Sequence, residues 1–131
     1  MELLIYAVLG LTATWALYVL YMQVATRAAE GRSAAPLYAV FPDLEGHTGR
    51  ALVYCFSPSC GPCRPMSREV DVLLDRGAPI YKLDIHAHPD LSRDLGIRAT
   101  PTLVVVDEGR IGRMVLGVKT ARFMQNLLEP A

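Results

Sequence analysis

Two cysteines separated by two residues, Cys60 and Cys63, are the side chains of this sequence best placed to do chemistry. They follow a short apolar run of strand type at residues 51–56, and they precede Met66 and Val70, whose spacing is typical of a helix with one buried face. The pair is therefore expected where a strand gives way to a helix N-terminus. The free N–H groups and the positive end of the helix dipole there favour a thiolate. Because the thiolate is the form that attacks disulfides, redox chemistry is favoured over two ordinary buried cysteines or a structural metal half-site.

The composition points to one globular domain and gives no sign of nucleic-acid binding. The chain has 131 residues, of which 13 are basic and 13 are acidic. A balanced charge creates no strong field that would favour a nucleic acid or an acidic partner. The length fits a single domain.

The apolar residues are concentrated at the N-terminus, where residues 3–24 contain no charged side chain. As a helix, this segment would be about 33 Å long, which is enough to cross the hydrocarbon core of a bilayer. Tyr6 lies near one end and Tyr18 and Tyr21 near the other, where aromatic belts occur. A cleaved signal peptide would have a basic n-region and a shorter apolar stretch. We therefore expect residues 1–25 to form a transmembrane anchor.

After the anchor, the small and polar residues 26–35 are predicted to be a tether, and residues 36–131 a folded domain. Periodicity and turn residues predict a mixed central β-sheet with helices on both faces. The predicted strands are residues 37–41, 51–56, 80–84, 102–106 and 111–116. The predicted helices run from about Cys60 to Arg76, from Asp90 to Leu95, and over the last residues after an N-cap at Thr120.

This pattern resembles the thioredoxin superfamily from about residue 51 to the C-terminus. The resemblance rests on Cys60-Gly61-Pro62-Cys63 at the strand-to-helix turn and on residues 96–102, which resemble the segment that carries a cis-proline in this family. A hairpin turn at residues 108–110 and Gly117 after the last strand add to it. The resemblance implies an α/β thioredoxin-like fold.

The resemblance also implies roles for individual residues. Cys60 would be the exposed attacking thiol and Cys63 the buried resolving thiol, so that protein disulfides or dithiols are the substrates and a thiol is the electron donor. Pro101 would be the cis-proline, and Thr100 would offer its backbone to a bound substrate strand. No cofactor is implied beyond the Cys60–Cys63 disulfide. The intervening Gly61-Pro62 pair is that of reducing thioredoxins, which favours a reductant.

Two positions depart from the family pattern. Ser59 stands before the first cysteine, where thioredoxins usually have Trp, and Tyr54 stands where they have a buried Asp. Lys82 matches the lysine that usually faces that Asp, so it is expected to lack its partner. Because a tyrosine is a poor base at neutral pH, we expect slower turnover at Cys63, or proton transfer through water or a carboxylate such as Glu69.

The entry to the domain contains Ala35-Pro36 and then Phe41-Pro42-Asp43-Leu44-Glu45-Gly46. This segment resembles the entry of the membrane-anchored, periplasmic thioredoxin-like proteins of the TlpA/ResA type. That resemblance implies a single-pass protein of the inner membrane with its domain in the periplasm. The basic residues indicate the opposite, because Arg27 and Arg32 follow the anchor and no Lys or Arg precedes it. We expect the periplasmic orientation, since disulfides persist there.

Cys55, His86 and His88 are the other residues of this sequence that could do chemistry. Cys55 lies within the strand and is expected to be a buried small hydrophobe, with a regulatory disulfide as the alternative. The two loop histidines could join the two thiols of the motif in a copper or zinc site, which would make the chain a metal-binding, chaperone-like module. A third alternative is an interaction domain that keeps the fold without turnover.

Overall fold

The computed structural model describes residues 1–130, so the last residue of the predicted domain lies outside the described part. The secondary structure consists of α1 (Glu2–Arg27), α2 (Ala35–Tyr38), a 3-10 helix (Pro42–Leu44), β1 (Arg50–Phe56), α3 (Cys63–Asp75), β2 (Ile80–Asp84), α4 (Pro89–Asp94), β3 (Thr102–Asp107), β4 (Arg110–Leu116) and α5 (Ala121–Leu128).

The four strands form one mixed sheet in the order β2-β1-β3-β4. β1 pairs in parallel with β2, whereas β3 runs antiparallel to both β1 and β4. The predicted mixed sheet is confirmed, and β1 and β2 are parallel because the α3 crossover returns the chain to the same end of the sheet. Cys55 lies opposite Thr102, and Thr102 lies opposite Leu116. These three residues therefore mark one end of the sheet, which is the end where β1 leads into the cysteine motif.

Alternate residues of β1 face two separate hydrophobic clusters, as the pleat of a strand requires. Leu52 and Tyr54 face a cluster that contains side chains of α3 and α5. Val53 and Cys55 face a second cluster, which is closed by α2 and by the segments around α1 and α4. The prediction of a central sheet with helices on both faces is thus confirmed.

Helix α1 is long and apolar, and most of it makes no contact with the rest of the chain. It has 26 residues and contains an 18-residue window with mean hydropathy 2.0, none of which is buried. Its length and composition are sufficient to cross a membrane. Thr26, in the last turn, is buried against the domain, and its hydroxyl donates to the carbonyl of Met22 at 2.7 Å.

The residues predicted as a tether are packed against β4 instead of extending away from the domain. Ala29 and Ala34 are buried, and the backbone N–H of Gly31 donates to the carbonyl of Ile111. Ser33 forms an isolated antiparallel bridge with Arg110. β4 is an edge strand with unpaired backbone groups, and this segment satisfies several of them. A small, polar composition did not reveal this edge pairing.

The predicted strand at residues 37–41 is wrong. The structure has the short helix α2 and then the 3-10 helix in this region, and each has a proline in its first turn, Pro36 and Pro42. A proline at the first helical positions fixes φ at a helical value and needs no N–H partner. Leu37 is fully buried, and the apolar residues that suggested a strand here pack in the second hydrophobic cluster.

Helix α3 begins at Cys63, three residues later than predicted, and ends before Gly77, which has φ +81°. Pro65 therefore lies in the first turn, where backbone N–H groups have no partner within the helix. Pro65 therefore costs α3 no intrahelical hydrogen bond.

Candidate redox site

The two motif cysteines are joined by a disulfide at the start of α3. The Cα atoms of Cys60 and Cys63 are 5.3 Å apart. Cys60 lies in the loop after β1 and is partly exposed, while Cys63 is the first residue of α3 and is 3% exposed. Gly61 and Pro62 between them are exposed. The outer sulfur is thus the one that a large partner can reach.

Ser57 holds the loop in front of the disulfide, a contribution that the sequence analysis missed. Its Oγ lies 3.0 Å from the Oγ of Ser59 and accepts a hydrogen bond from the Ser59 backbone N–H at 3.3 Å. Its carbonyl accepts from the backbone N–H of Cys60 at 3.1 Å. Serine in a turn often bonds to backbone groups two residues on, so the Ser-Pro-Ser sequence was the available signal.

The second loop of the site contains a cis peptide bond between Thr100 and Pro101. Pro101 is buried and Thr100 is partly exposed. The loop is fixed on both sides, because the carbonyl of Pro101 accepts from the N–H of Gly117 at 2.9 Å and the hydroxyl of Thr102 donates to the carbonyl of Ala99 at 2.7 Å. Because Thr102 lies opposite Cys55 in the sheet, this loop is at the same end of the domain as the disulfide.

Tyr54 lies behind the disulfide and is fully buried. Its hydroxyl donates to the carbonyl of Cys63 at 3.1 Å and lies 2.9 Å from the Oγ of Ser67. Burial raises the pKa of this phenol, the hydrogen bond with Ser67 lowers it, and nearby Asp71 raises it further. The net pKa lies above the usual value, so the phenol is neutral at physiological pH and acts here as a hydrogen-bond donor that fixes the start of α3.

The expectation that Lys82 lacks a partner is wrong. Its Nζ lies 3.0 Å from Oδ1 of Asp71, on α3, and 5.6 Å from the ring centroid of Phe56. Asp71 is two turns along α3 from Cys63. The sequence did not indicate that this part of α3 would contact Lys82 of β2. The pair is well exposed to solvent, so its contribution to stability is small.

The side chain of Glu69 bonds to the start of α5. Its Oε2 accepts from the backbone N–H of Ala121 at 3.0 Å and so caps the start of α5. The carboxylate suggested as a proton carrier is occupied elsewhere. Instead, an open depression of about 380 Å³ leads to the site, and its walls include Cys60, Cys63 and Ser67. Solvent can therefore approach the two sulfurs from this side.

The remaining cysteine and the histidines lie away from this depression. Cys55 is a free cysteine, it is fully buried on the opposite face of the sheet, and burial raises the pKa of its thiol far above the usual value. Within residues 1–130, no three His, Cys, Asp or Glu side chains are grouped closely enough to hold a metal ion. The alternative of a copper or zinc site formed by the cysteines with His86 or His88 has no support in this geometry.

Comparison with known proteins identifies the class of protein. The thioredoxin family model matches residues 42–129. A thioredoxin of Bacillus subtilis is 28% identical over 88 residues, which cover 65% of this chain and 85% of that protein. Thioredoxin H2 of Arabidopsis thaliana is 32% identical over 75 residues, which are 55% of this chain and 56% of that protein. A mutant thioredoxin from Halobacterium salinarum has a similar structure, with a TM-score of 0.62 and 26% identity over 68% of this chain and 80% of that one.

The chain belongs to the thioredoxin family. Its fold is the α/β thioredoxin-like fold, and its activity is that of a thiol–disulfide oxidoreductase. The matched region begins after α1 and α2, so the comparisons concern the domain that holds the disulfide and not the N-terminal helix.

Proposed function

We propose that this protein is a membrane-tethered thioredoxin that reduces disulfides of protein substrates through Cys60 and Cys63. One observation carries the proposal: a 26-residue apolar helix with exposed side chains continues into a domain that holds a redox disulfide. A helix of this length with so many exposed apolar side chains would be poorly soluble in water, and a bilayer would cover it.

The reaction consists of two thiol–disulfide exchanges. In the reduced protein, the Cys60 thiolate attacks one sulfur of a substrate disulfide, which forms a mixed disulfide and releases the other substrate sulfur as a thiolate. The Cys63 thiolate then attacks Cys60 and releases the second substrate sulfur. The substrate has gained two electrons and two protons, and the Cys60–Cys63 disulfide is returned to the dithiol by a thiol electron donor.

The loop that contains Thr100 and Pro101 is proposed to bind the substrate chain beside the disulfide. Thr100 is partly exposed, so its backbone is accessible to an extended segment, while buried Pro101 keeps the loop in place. Backbone pairing of this kind accepts many sequences, which suits an enzyme that acts on several proteins. Gly61 and Pro62, as in reducing thioredoxins, support the reducing direction.

Reduction of insulin disulfides by the detergent-solubilised protein, with dithiothreitol as donor, tests the redox part. Cys60→Ser should abolish turnover, and Cys63→Ser should trap a mixed disulfide at Cys60. Cys55→Ala is the matched control, because it removes a cysteine from the opposite face of the sheet and should retain activity. Full activity of Cys60→Ser would disprove the assignment of the nucleophile.

Extraction of cell membranes at alkaline pH tests the anchor, because an integral protein stays in the pellet whereas a peripheral one is released. A reporter that is active in only one compartment, fused to the C-terminus, tests the orientation. We propose the periplasmic side of the inner membrane, in line with the similarity to TlpA/ResA-type proteins. A reporter signal from the cytoplasm would contradict this orientation while leaving the redox assignment intact.

A further inference from the structure

Helix α1 leaves the domain at the end of the sheet that holds the disulfide. The chain preceding α2 runs along β4. Ser33 pairs with Arg110, at the end of β4 that is far from the disulfide. Glu30 lies farther along the strand, where its Oε1 accepts from the N–H of Met114 at 3.2 Å. Gln23, two turns before Glu30, lines the same groove as Leu116. Toward its N-terminus, α1 therefore advances along β4 in the direction of the active-site end.

The helix also touches the loop that leads to the cis-proline. The guanidinium carbon of Arg98 lies 5.7 Å from the ring centroid of Tyr21, which is within cation–π range. The carbonyl oxygen of Ala25 lies 3.6 Å from the position that a Cβ on Gly96 would occupy. Arg98 is only two residues from Thr100. The apolar residues before Tyr21 thus begin beside the active-site loops.

Three of the four loops at this end of the domain carry charge of one sign. Residues 57–68, 96–102 and 116–120, which we call the basic rim, contain no Asp or Glu. Their charged residues are Arg64, Arg68, Arg98 and Lys119. The rim also exposes the apolar side chains of Leu116, 41% exposed, and Val118, 49% exposed. Basic residues interspersed with exposed apolar ones are typical of surfaces that contact anionic lipid headgroups.

The other charged groups follow this division only in part, because Glu69 borders the rim at Ala121 and both Arg50 and Arg110 lie at the opposite end of the sheet. The fourth loop at this end, after β2, carries Asp84, but β2 is the edge strand farthest from α1, and Asp84 Oδ1 accepts from the backbone N–H of His86. At the opposite end of the sheet, the turns at residues 42–49 and 107–109 contain four acidic residues and no Lys or Arg. Arg50, the first residue of β1, pairs there with Asp107.

We propose that the docked α1 holds the active-site end of the domain against the bilayer, with the basic rim on anionic lipid headgroups. The proposal rests on the membrane anchor of the proposed function. Since Cys60 is partly exposed at the same end of the domain, the disulfide would lie close to the membrane surface. It would exchange with thiols of molecules bound at that surface. A large soluble protein would have limited access to it.

Fluorescence quenching in vesicles of phosphatidylcholine and phosphatidylglycerol tests this orientation on the full chain. Val118→Cys places a label on the rim, and Thr48→Cys places one at the other end of the sheet, roughly 20 Å away for strands of this length. In the oxidised protein the remaining native thiol, Cys55, is fully buried, so each label has a single site. Lipids with a nitroxide on the headgroup are the quenchers.

We expect the label at position 118 to lose most of its fluorescence and the label at position 48 to keep most of it. A flexible Gly/Ser insertion after Arg27 should reduce this difference, because it uncouples the domain from α1. Equal quenching of the two labels, stronger quenching at position 48, or a difference that survives the insertion would overturn the proposal.

Trp15, the single tryptophan, lies within α1 and distinguishes failure of the membrane anchor from failure of the proposed domain orientation. If nitroxides on the lipid chains do not quench Trp15, the anchor itself is wrong and this inference fails with it.

Discussion

Replacement of Tyr54 by phenylalanine tests the role assigned to the phenol behind the disulfide. The substitution removes the hydroxyl that donates to the carbonyl of Cys63 and bonds to Ser67, but it keeps the ring, which stacks on Phe56 at 5.6 Å. Each buried hydrogen bond contributes about 0.5–1.5 kcal/mol to the free energy of unfolding. Ser67 borders the open depression and can bond to water instead, so we expect a loss of about 1 kcal/mol.

In a domain of this size, such a loss lowers the melting temperature by about 4–8 °C. Thermal unfolding of the oxidised protein in detergent, followed by circular dichroism, measures it. Tyr81→Phe is the matched control, because Tyr81 packs against Phe41 on the other face of the sheet. The control should melt closer to the unaltered protein than Tyr54→Phe does.

The kinetic part of this prediction follows from the raised pKa of Tyr54. A phenol that stays protonated at neutral pH cannot take the proton of Cys63, so Tyr54→Phe should keep the pH at which resolution accelerates. A loss of about 1 kcal/mol in the positioning of Cys63 would slow the step by roughly fivefold at most. Release of a chromophoric thiol from a mixed disulfide at Cys60, as Cys63 attacks, measures this rate by stopped flow. A much larger decrease, or a displaced pH midpoint, would show that the phenol carries the proton.

The raised pKa also has a consequence for stability at alkaline pH. The folded protein keeps Tyr54 neutral, whereas the unfolded chain releases its proton near pH 10. The shifted pKa of Tyr54 therefore contributes to the free energy of unfolding below pH 10, and this contribution should be lost as the pH rises above that value. Tyr54→Phe should make this decline shallower. A decline of equal slope in both proteins would contradict the shifted pKa.

Three further predictions concern the surroundings of the site. Cys55→Ala should flatten the loss of stability above about pH 8.5, because the buried thiol keeps its proton in the folded state while the unfolded chain releases it; an unchanged pH profile in chemical unfolding would argue against this. Asp71→Asn should cost less than about 1 kcal/mol and leave insulin reduction unchanged, since its pair with Lys82 is exposed; a large drop in activity would restore a role for Lys82. Thr120→Ala removes the hydroxyl that accepts from the N–H of Phe123, so the melting curve should report a loss of about 1 kcal/mol, which Thr120→Ser should largely restore.

The sequence alone was sufficient for the strands and α-helices of the matched domain. Residues 80–84 were predicted with the observed bounds of β2, and the ends of β3, β4 and α3 differ by at most three residues. These elements have strong apolar periodicity between clear turn residues, so local pattern and tertiary packing require the same structure. The cysteine motif was visible for the same reason, since its position between a strand and a helix can be read from its neighbours.

The sequence failed where the partner of a group comes from a distant part of the chain. Nothing near Lys82 indicated Asp71, and nothing near Tyr54 indicated that Ser67 would share its hydroxyl, because those contacts exist only once α3 packs on the sheet. The segment after α1 has a flexible composition, yet the open edge of β4 fixes it through backbone hydrogen bonds, which do not depend on side-chain type. The sequence by itself thus determined that this is a redox domain behind an apolar helix. Only the tertiary structure decided how Cys63 is supported and which end of the domain the helix adjoins, because both depend on contacts between residues far apart in the chain.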